Sequence, residues 1–132
     1  MRNQLDTLIN KTTQEQEGIS VTIHDTRILG NDICIPLNDL LYIEAQKNKV
    51  AIYYLKNGKL TQAEIQSTLV SVMEGLADYV NIFQCHRSFA VNLNNITSAK
   101  GNSNGYTLQL NGGMSTVPVS RSYVPKLRSF IA

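Results

Sequence analysis

The side chains in this chain able to ligate a soft metal or act as a strong nucleophile are few: His24, Cys34, Cys85 and His86. No Cys-x-x-Cys or His-x-x-x-His spacing joins them, and zinc sites are normally built on such pairs. Cys85 and His86 are neighbours, so on a strand they would point to opposite faces and could not form a dyad. His86 and Ser88 would share a face, but no Asp or Glu occurs from residue 79 onward to orient the imidazole. No Gly-x-Ser-x-Gly elbow is present either. Asp25, Asp32, Asp39 and Glu44 read as turn, cap and surface residues rather than as an acid/base pair. Gly101-x-x-x-Gly105 lacks the Lys-Ser/Thr of a phosphate loop and reads as a turn. The expectation is a protein without metal, cofactor or catalytic activity.

The cations are more informative. Residues 1–78 hold seven Lys/Arg against ten Asp/Glu, whereas residues 79–132 hold five against none, so the net charge of +2 hides an acid-free, basic last part. Arg87 and Arg121 are forked donors flanked by the small hydroxyl residues Ser88, Ser120 and Ser122. Asn92, Asn94, Asn95, Asn102 and Asn104 add amides. Guanidinium and amide groups are the donors that bind phosphates and read base edges. Composition alone leaves two readings level: a DNA-contacting surface, and a solvated, turn-rich surface carrying two arginines. Lys100, Lys126 and Arg128 also serve simple solubility.

The elements that would position these groups follow from periodicity. The 132 residues, 42% apolar and 17% charged, suit one domain with a substantial core. No run approaches the ~18 apolar residues of a membrane span, and the first residues lack the apolar stretch of a signal peptide. Two distant cysteines do not make a disulfide framework, so a cytoplasmic protein with reduced thiols is expected. Residues 1–17 are polar and read as a tail or linker, with the domain at 18–132.

Ile19, Val21 and Ile23 alternate with polar residues as in a half-buried strand. Ile28-Leu29 and Ile33-Cys34-Ile35 flank Gly30-Asn31-Asp32, which predicts a strand–turn–strand with Gly30 or Asn31 at positive φ. Pro36, without an N–H, ends the pairing. Strands are expected near 41–46, 50–55 and 59–63, the last two joined by Asn57-Gly58, a type I′ signal. Ile65, Leu69, Val72 or Met73, and Leu76 fall on one helical stripe, predicting a helix over 65–77. Further strands are expected at 96–100, 106–110 and 115–118. A terminal helix follows, with Ser122 as N-cap and Pro125 at N3, and Arg121 just outside it. The expected class is mainly β, with one internal and one short C-terminal helix.

Within Phe83–Leu93, the residues Phe83, Cys85, Phe89, Val91 and Leu93 share one parity, the inward face of a strand, and Arg87 breaks it. Burying a guanidinium there would be costly. The pairing is therefore expected to be interrupted at His86-Arg87-Ser88, placing Arg87 on a loop.

Three blocks, in order, add a resemblance. Phe83-Gln-Cys-His-Arg-Ser-Phe-Ala-Val-Asn-Leu-Asn-Asn-Ile96, Gly101-Asn-Ser-Asn-Gly-Tyr-Thr-Leu-Gln-Leu110 and Val117-Pro-Val-Ser-Arg-Ser-Tyr-Val124 closely resemble the LytTR DNA-binding domain family. Ile35-Pro-Leu-Asn-Asp-Leu-Leu-Tyr-Ile-Glu-Ala45 fits its first block, and the likeness spans about residues 19–130. It implies about ten short strands in small antiparallel sheets, with loops rather than a recognition helix entering successive major grooves of double-stranded DNA. It implies base contacts from Lys49 in the loop after Ile-Glu-Ala, from Arg87 and from Arg121. Lys47, Asn48, Ser88, Asn92, Ser120, Ser122 and Lys126 would contact the backbone or support the contacts, and His86 would fix its loop.

Such domains usually end bacterial response regulators and bind paired direct repeats, so a dimer on DNA is one expected arrangement. Control would come from an upstream receiver domain or from a separate regulatory protein. The alternative from another class is a protein-interaction module whose same loops recognise an acidic partner. RNA binding is weaker, since no aromatic pair forms a base-stacking platform.

Overall fold

In the computed structural model, residues 18–27 and 30–131 are described, the last of them by its backbone only. The expected tail at 1–17 and the Ile28-Leu29 pair lie outside them. The described residues form ten strands and two α-helices: β1 (Ser20–Ile23), β2 (Ile33–Pro36), β3 (Leu40–Ala45), β4 (Val50–Lys56), β5 (Lys59–Ile65), α1 (Leu69–Gly75), β6 (Ile82–His86), β7 (Phe89–Asn92), β8 (Ile96–Asn102), β9 (Gly105–Leu110), β10 (Ser115–Ser120) and α2 (Val124–Ile131). Short 3-10 turns at Leu37–Asp39, Leu93–Asn95, Asn111–Gly113 and Arg121–Tyr123 join several of them. The architecture is the expected one, mainly strand with an internal and a C-terminal helix.

The strands make a central five-stranded sheet in the order β5-β4-β3-β7-β6, a three-stranded sheet β10-β9-β8 and a two-stranded ribbon β1-β2. All pairings are antiparallel. The central sheet separates two cores. On one face Ile43, Val50, Ile52 and Ile65 pack with Val21, Ile23 and Ile35 of the ribbon and with Leu69, Val72 and Leu76 around α1. On the other, Leu41, Phe83, Cys85 and Val91 meet Leu108, Leu110, Val117 and Val119, with Val124 and Leu127 of α2. Each such side chain contributes about 1.5–3 kcal/mol by leaving water. Leu41 and Tyr42 both join the second core although they are consecutive. A bulge between Leu40 and Tyr42 allows this, because one extra residue in a ladder breaks strict alternation.

The clearest turn signal behaves as expected. Asn57 and Gly58 adopt φ of 53° and 76°, the paired positive angles of a type I′ turn. Three local expectations are corrected. The first ribbon pairs Val21 with Ile35 and Ile23 with Ile33, so no tight turn at Gly30 joins its strands. Neither Gly30 nor Asn31 has positive φ. Gly30 is needed for another reason: a Cβ there would collide with the Asp25 carboxylate. Second, the helix begins at Leu69, capped by the Thr68 hydroxyl accepting from Ser71 N–H at 3.1 Å. Ile65 stays in β5 opposite Val50, where ladder pairing overrides the helical stripe. Third, the terminal helix is preceded by the 3-10 turn Arg121–Tyr123 with Ser120 at its cap position, so Ser122 is not the N-cap. Pro125 still lies in the first α-helical turn, where its missing N–H costs nothing.

One polar contact crosses the structure. Asn92 is 0% exposed. Its amide donates to the carbonyls of Leu37 at 3.1 Å and Leu40 at 2.9 Å. Its Oδ1 accepts from Asn81 Nδ2 at 2.7 Å and from Asn94 N–H at 3.1 Å. Asn95 adds donors to the carbonyls of Asn38 and Leu40. Removing the Asn92 amide would leave several buried groups unpaired, each at considerable desolvation cost. Asn92→Ala is therefore expected to lose about 2–4 kcal/mol in urea unfolding; a loss below about 0.5 kcal/mol, the level of an ordinary surface substitution, would contradict this.

Candidate nucleic-acid interface

Two of the sequence-predicted loops meet. After β3, Gln46 N–H donates to Lys49 O at 2.8 Å, closing a short turn that leaves Lys47 and Asn48 exposed at its tip. Ala45 N–H donates to Ser88 O at 2.7 Å, tying the end of β3 to the turn that carries Arg87. Lys47, Asn48, Lys49 and Arg87 consequently line one open groove of about 400 Å³. Another part of its wall is Gln66, Ser67, Thr68 and Ser71, from the link between β5 and the start of α1. The sequence reading missed this wall, because it placed residues 65–77 in a helix. A Ser-Thr pair ahead of Leu69 was the available signal of a cap and a break.

Arg87 sits at the tip of a hairpin. The parity break at Arg87 is where the chain reverses: β6 ends at His86 and β7 starts at Phe89, with a bulge between Gln84 and His86. The turn is stiffened from several sides. Ser88 N–H donates to His86 Nδ1 at 3.1 Å. The His86 ring meets the Phe89 ring edge-on, 5.5 Å between centroids. Gln84 Nε2 donates to His86 O at 3.3 Å. The Arg87 side chain is exposed, and among the described residues it has no ion-pair partner. Lys49 does have one: its ammonium lies 2.5 Å from a Glu64 carboxylate oxygen.

The third predicted element lies at the corner between β10 and α2, outside the groove lining. The Phe83 and Tyr123 rings pack edge-on at 6.5 Å and fix the 3-10 turn on which Arg121 stands. Arg121 and Ser122 are exposed and Ser120 is half-buried. Lys126 sits over the Phe83 ring, 5.9 Å from its centroid, a cation–π contact that holds a positive charge at this corner. Asn92, placed among the backbone or supporting residues, has no exposed surface; of those two roles its geometry allows only support.

A carboxylate cluster braces the groove from behind. Asp25, whose side chain is buried, accepts from Arg27 N–H, Nε and Nη2 and from Gln66 N–H. Asp32 accepts from Asp25 N–H at 2.9 Å and lies 2.8 Å from His24 Nδ1. Thr26 binds Gln66 O through both its N–H and its hydroxyl. Asp25 and Thr26, just after β1, are thereby pinned to the groove wall. No group of three His, Cys, Asp or Glu is placed to hold a metal ion among the described residues. Burial pushes the Cys85 thiol up to about 12, which removes it as a nucleophile.

The module is β-rich, and Lys47, Asn48, Lys49, Arg87 and Arg121 stand on its turns and loops rather than on either α-helix. The family model described as the LytTr DNA-binding domain matches residues 30–132, and the chain belongs to that family. It is 32% identical over 120 residues to the transcriptional regulatory protein YpdB of Escherichia coli K12, covering 90% of this chain and 45% of that protein. It is 29% identical over 120 residues to the sensory transduction protein LytT of Bacillus cereus, covering 90% and 44%. The chain thus spans less than half the length of these relatives. Its fold matches the LytTr DNA-binding domain of a Bacillus cereus response regulator with a TM-score of 0.66 at 26% identity, covering 86% of this chain and 96% of that one. The family is one of DNA-binding domains of transcriptional regulators, not of enzymes. No helix among the described residues is long and apolar enough to cross a membrane.

The brace has a pH signature. The Arg27 guanidinium, helped by backbone N–H donors, holds the Asp25 carboxyl well below its ordinary 3.8. A depressed folded-state pKa stabilises above the unfolded value and is lost as pH falls toward the folded one. Asp25→Asn should lower the melting temperature at pH 7, and the gap to the parent protein should close as pH drops below about 4. Thermal melts across pH 7 to 2.5 test this, and a constant gap would contradict it.

Proposed function

We propose that this domain reads specific double-stranded DNA in the major groove through its loops, as the output domain of a bacterial transcriptional regulator. The observation that carries the reading is the Arg87 hairpin: an exposed guanidinium without an ion-pair partner among the described residues, on a turn held by His86 and Phe89, in one groove with Lys47, Asn48 and Lys49. A forked donor on a stiff support forms two bonds to guanine with little ordering cost. Arg87, Arg121 and Lys49 take the base contacts. Lys47, Asn48, Ser88, Ser120, Ser122 and Lys126 take phosphates or support them, while His86 and Asn92 act from within the fold.

In the whole protein, residues 1–17 would link the domain at 18–132 to an upstream receiver domain, or a separate regulatory protein would control it. Two copies would sit on paired direct repeats, in the cytoplasm where the DNA is.

Two measurements test this. Arg87→Ala and Arg121→Ala should each lose about 1–3 kcal/mol of specific binding and relax base preference; wild-type affinity and preference in both would remove them as readers. Selection from random duplex at moderate salt should enrich two spaced half-sites. A flat selection would sink the transcription-factor reading in favour of an acidic protein partner.

A further inference from the structure

We infer that Glu64 is a specificity-determining residue of this interface, because its carboxylate holds the Lys49 ammonium out of indiscriminate phosphate binding. The inference rests on the DNA-binding reading above and deepens it. Of the cations lining the groove, Lys47, Lys49 and Arg87, Lys49 has an acidic partner, and Lys47 and Arg87 have none among the described residues. The pair is built into the β4–β5 ladder. Lys49 directly precedes Val50, which faces Ile65, and Glu64 faces Ala51. Lys49, one residue before β4, and Glu64, within β5, therefore lie within reach of each other, and their charged atoms stand 2.5 Å apart.

Both side chains remain partly solvated, 47% exposed for Lys49 and 42% for Glu64. Such a pair is weak enough to open when something better arrives. Non-specific DNA binding draws its free energy from the counterions that cations release on neutralising phosphates. A lysine already neutralised by a carboxylate releases none, and the carboxylate beside it repels the phosphate backbone. Loose, hydrated complexes on arbitrary sequence thus gain nothing from Lys49. A complex in register, with base acceptors such as guanine O6 and N7 presented to the loop, offers the ammonium a partner in exchange for Glu64. Glu64 penalises the wrong sites more than the right one, which is how a repulsive element raises specificity.

The test is a double-mutant cycle of the parent protein, Glu64→Gln, Lys49→Met and the double variant. Affinities are measured on the selected duplex and on its scrambled version at several salt concentrations. The Gln variant is isosteric and exposed, and its melting temperature is the control for folding. Glu64→Gln should tighten binding to scrambled duplex about two- to fivefold and steepen its salt dependence by about 0.9 in log–log slope. It should tighten the selected duplex less, so that the preference narrows, and these effects should shrink in the Lys49→Met background to what removal of the carboxylate's own repulsion leaves. An unchanged preference and slope would overturn the inference, and so would an effect equally large without Lys49, while the parent protein's preference for the selected duplex would leave the DNA-binding reading standing. A parent protein that does not distinguish the two duplexes would overturn that reading and the inference with it.

Discussion

The geometry of this domain depends on a buried amide. Asn92 joins the start of β3, the end of β7 and the segment leading into β6 through buried donors and acceptors. Apolar packing is non-directional and would tolerate small slides between the strands. A fully satisfied amide does not, since any slip leaves buried carbonyls unpaired. The register of β7 against β3 is thereby set, and with it the Ala45–Ser88 contact that brings the Arg87 turn beside the Lys47–Lys49 loop.

Stiffness is the recurring property of the proposed contact points. The Arg87 turn is held by an imidazole and a phenyl ring, the Arg121 turn by Phe83 and Tyr123, and the groove wall by the Asp25 cluster. Ordering a flexible loop on binding subtracts from affinity. Loops braced in the free protein avoid much of that cost, which lets a small β-domain present separate side chains without a recognition helix.

The charge pattern acquires a more specific meaning in three dimensions. The acids of the first part are not simply a counterweight to the basic last part. Asp25 is turned inward as an acceptor for Arg27 and Gln66, so its charge serves folding. Glu64 is turned toward Lys49 beside the proposed interface. The acid-free last part keeps Arg87 and Arg121 clear of ion-pair partners among the described residues. Position, rather than net charge, decides which cations are available.

Local chemistry was sufficient to determine some features from the sequence alone. Asn57-Gly58 dictates its turn because only such residues accept paired positive φ easily, and the alternation in 40–65 dictates the meander around it. Arg87 could be singled out because a guanidinium in an inward-facing position is too costly to bury. Tertiary contacts decided the rest. Ile65 fits a helical stripe and a strand equally well, and only its pairing with Val50 assigns it to β5. Asn92 looks like a surface amide until Leu37 and Leu40, more than fifty residues away, close over it. The Glu64–Lys49 pair, the groove wall at Gln66–Ser71 and the reach from Val21 to Ile35 are likewise contacts between segments. Periodicity reports which face of an element is apolar, but it carries no record of which element that face will meet.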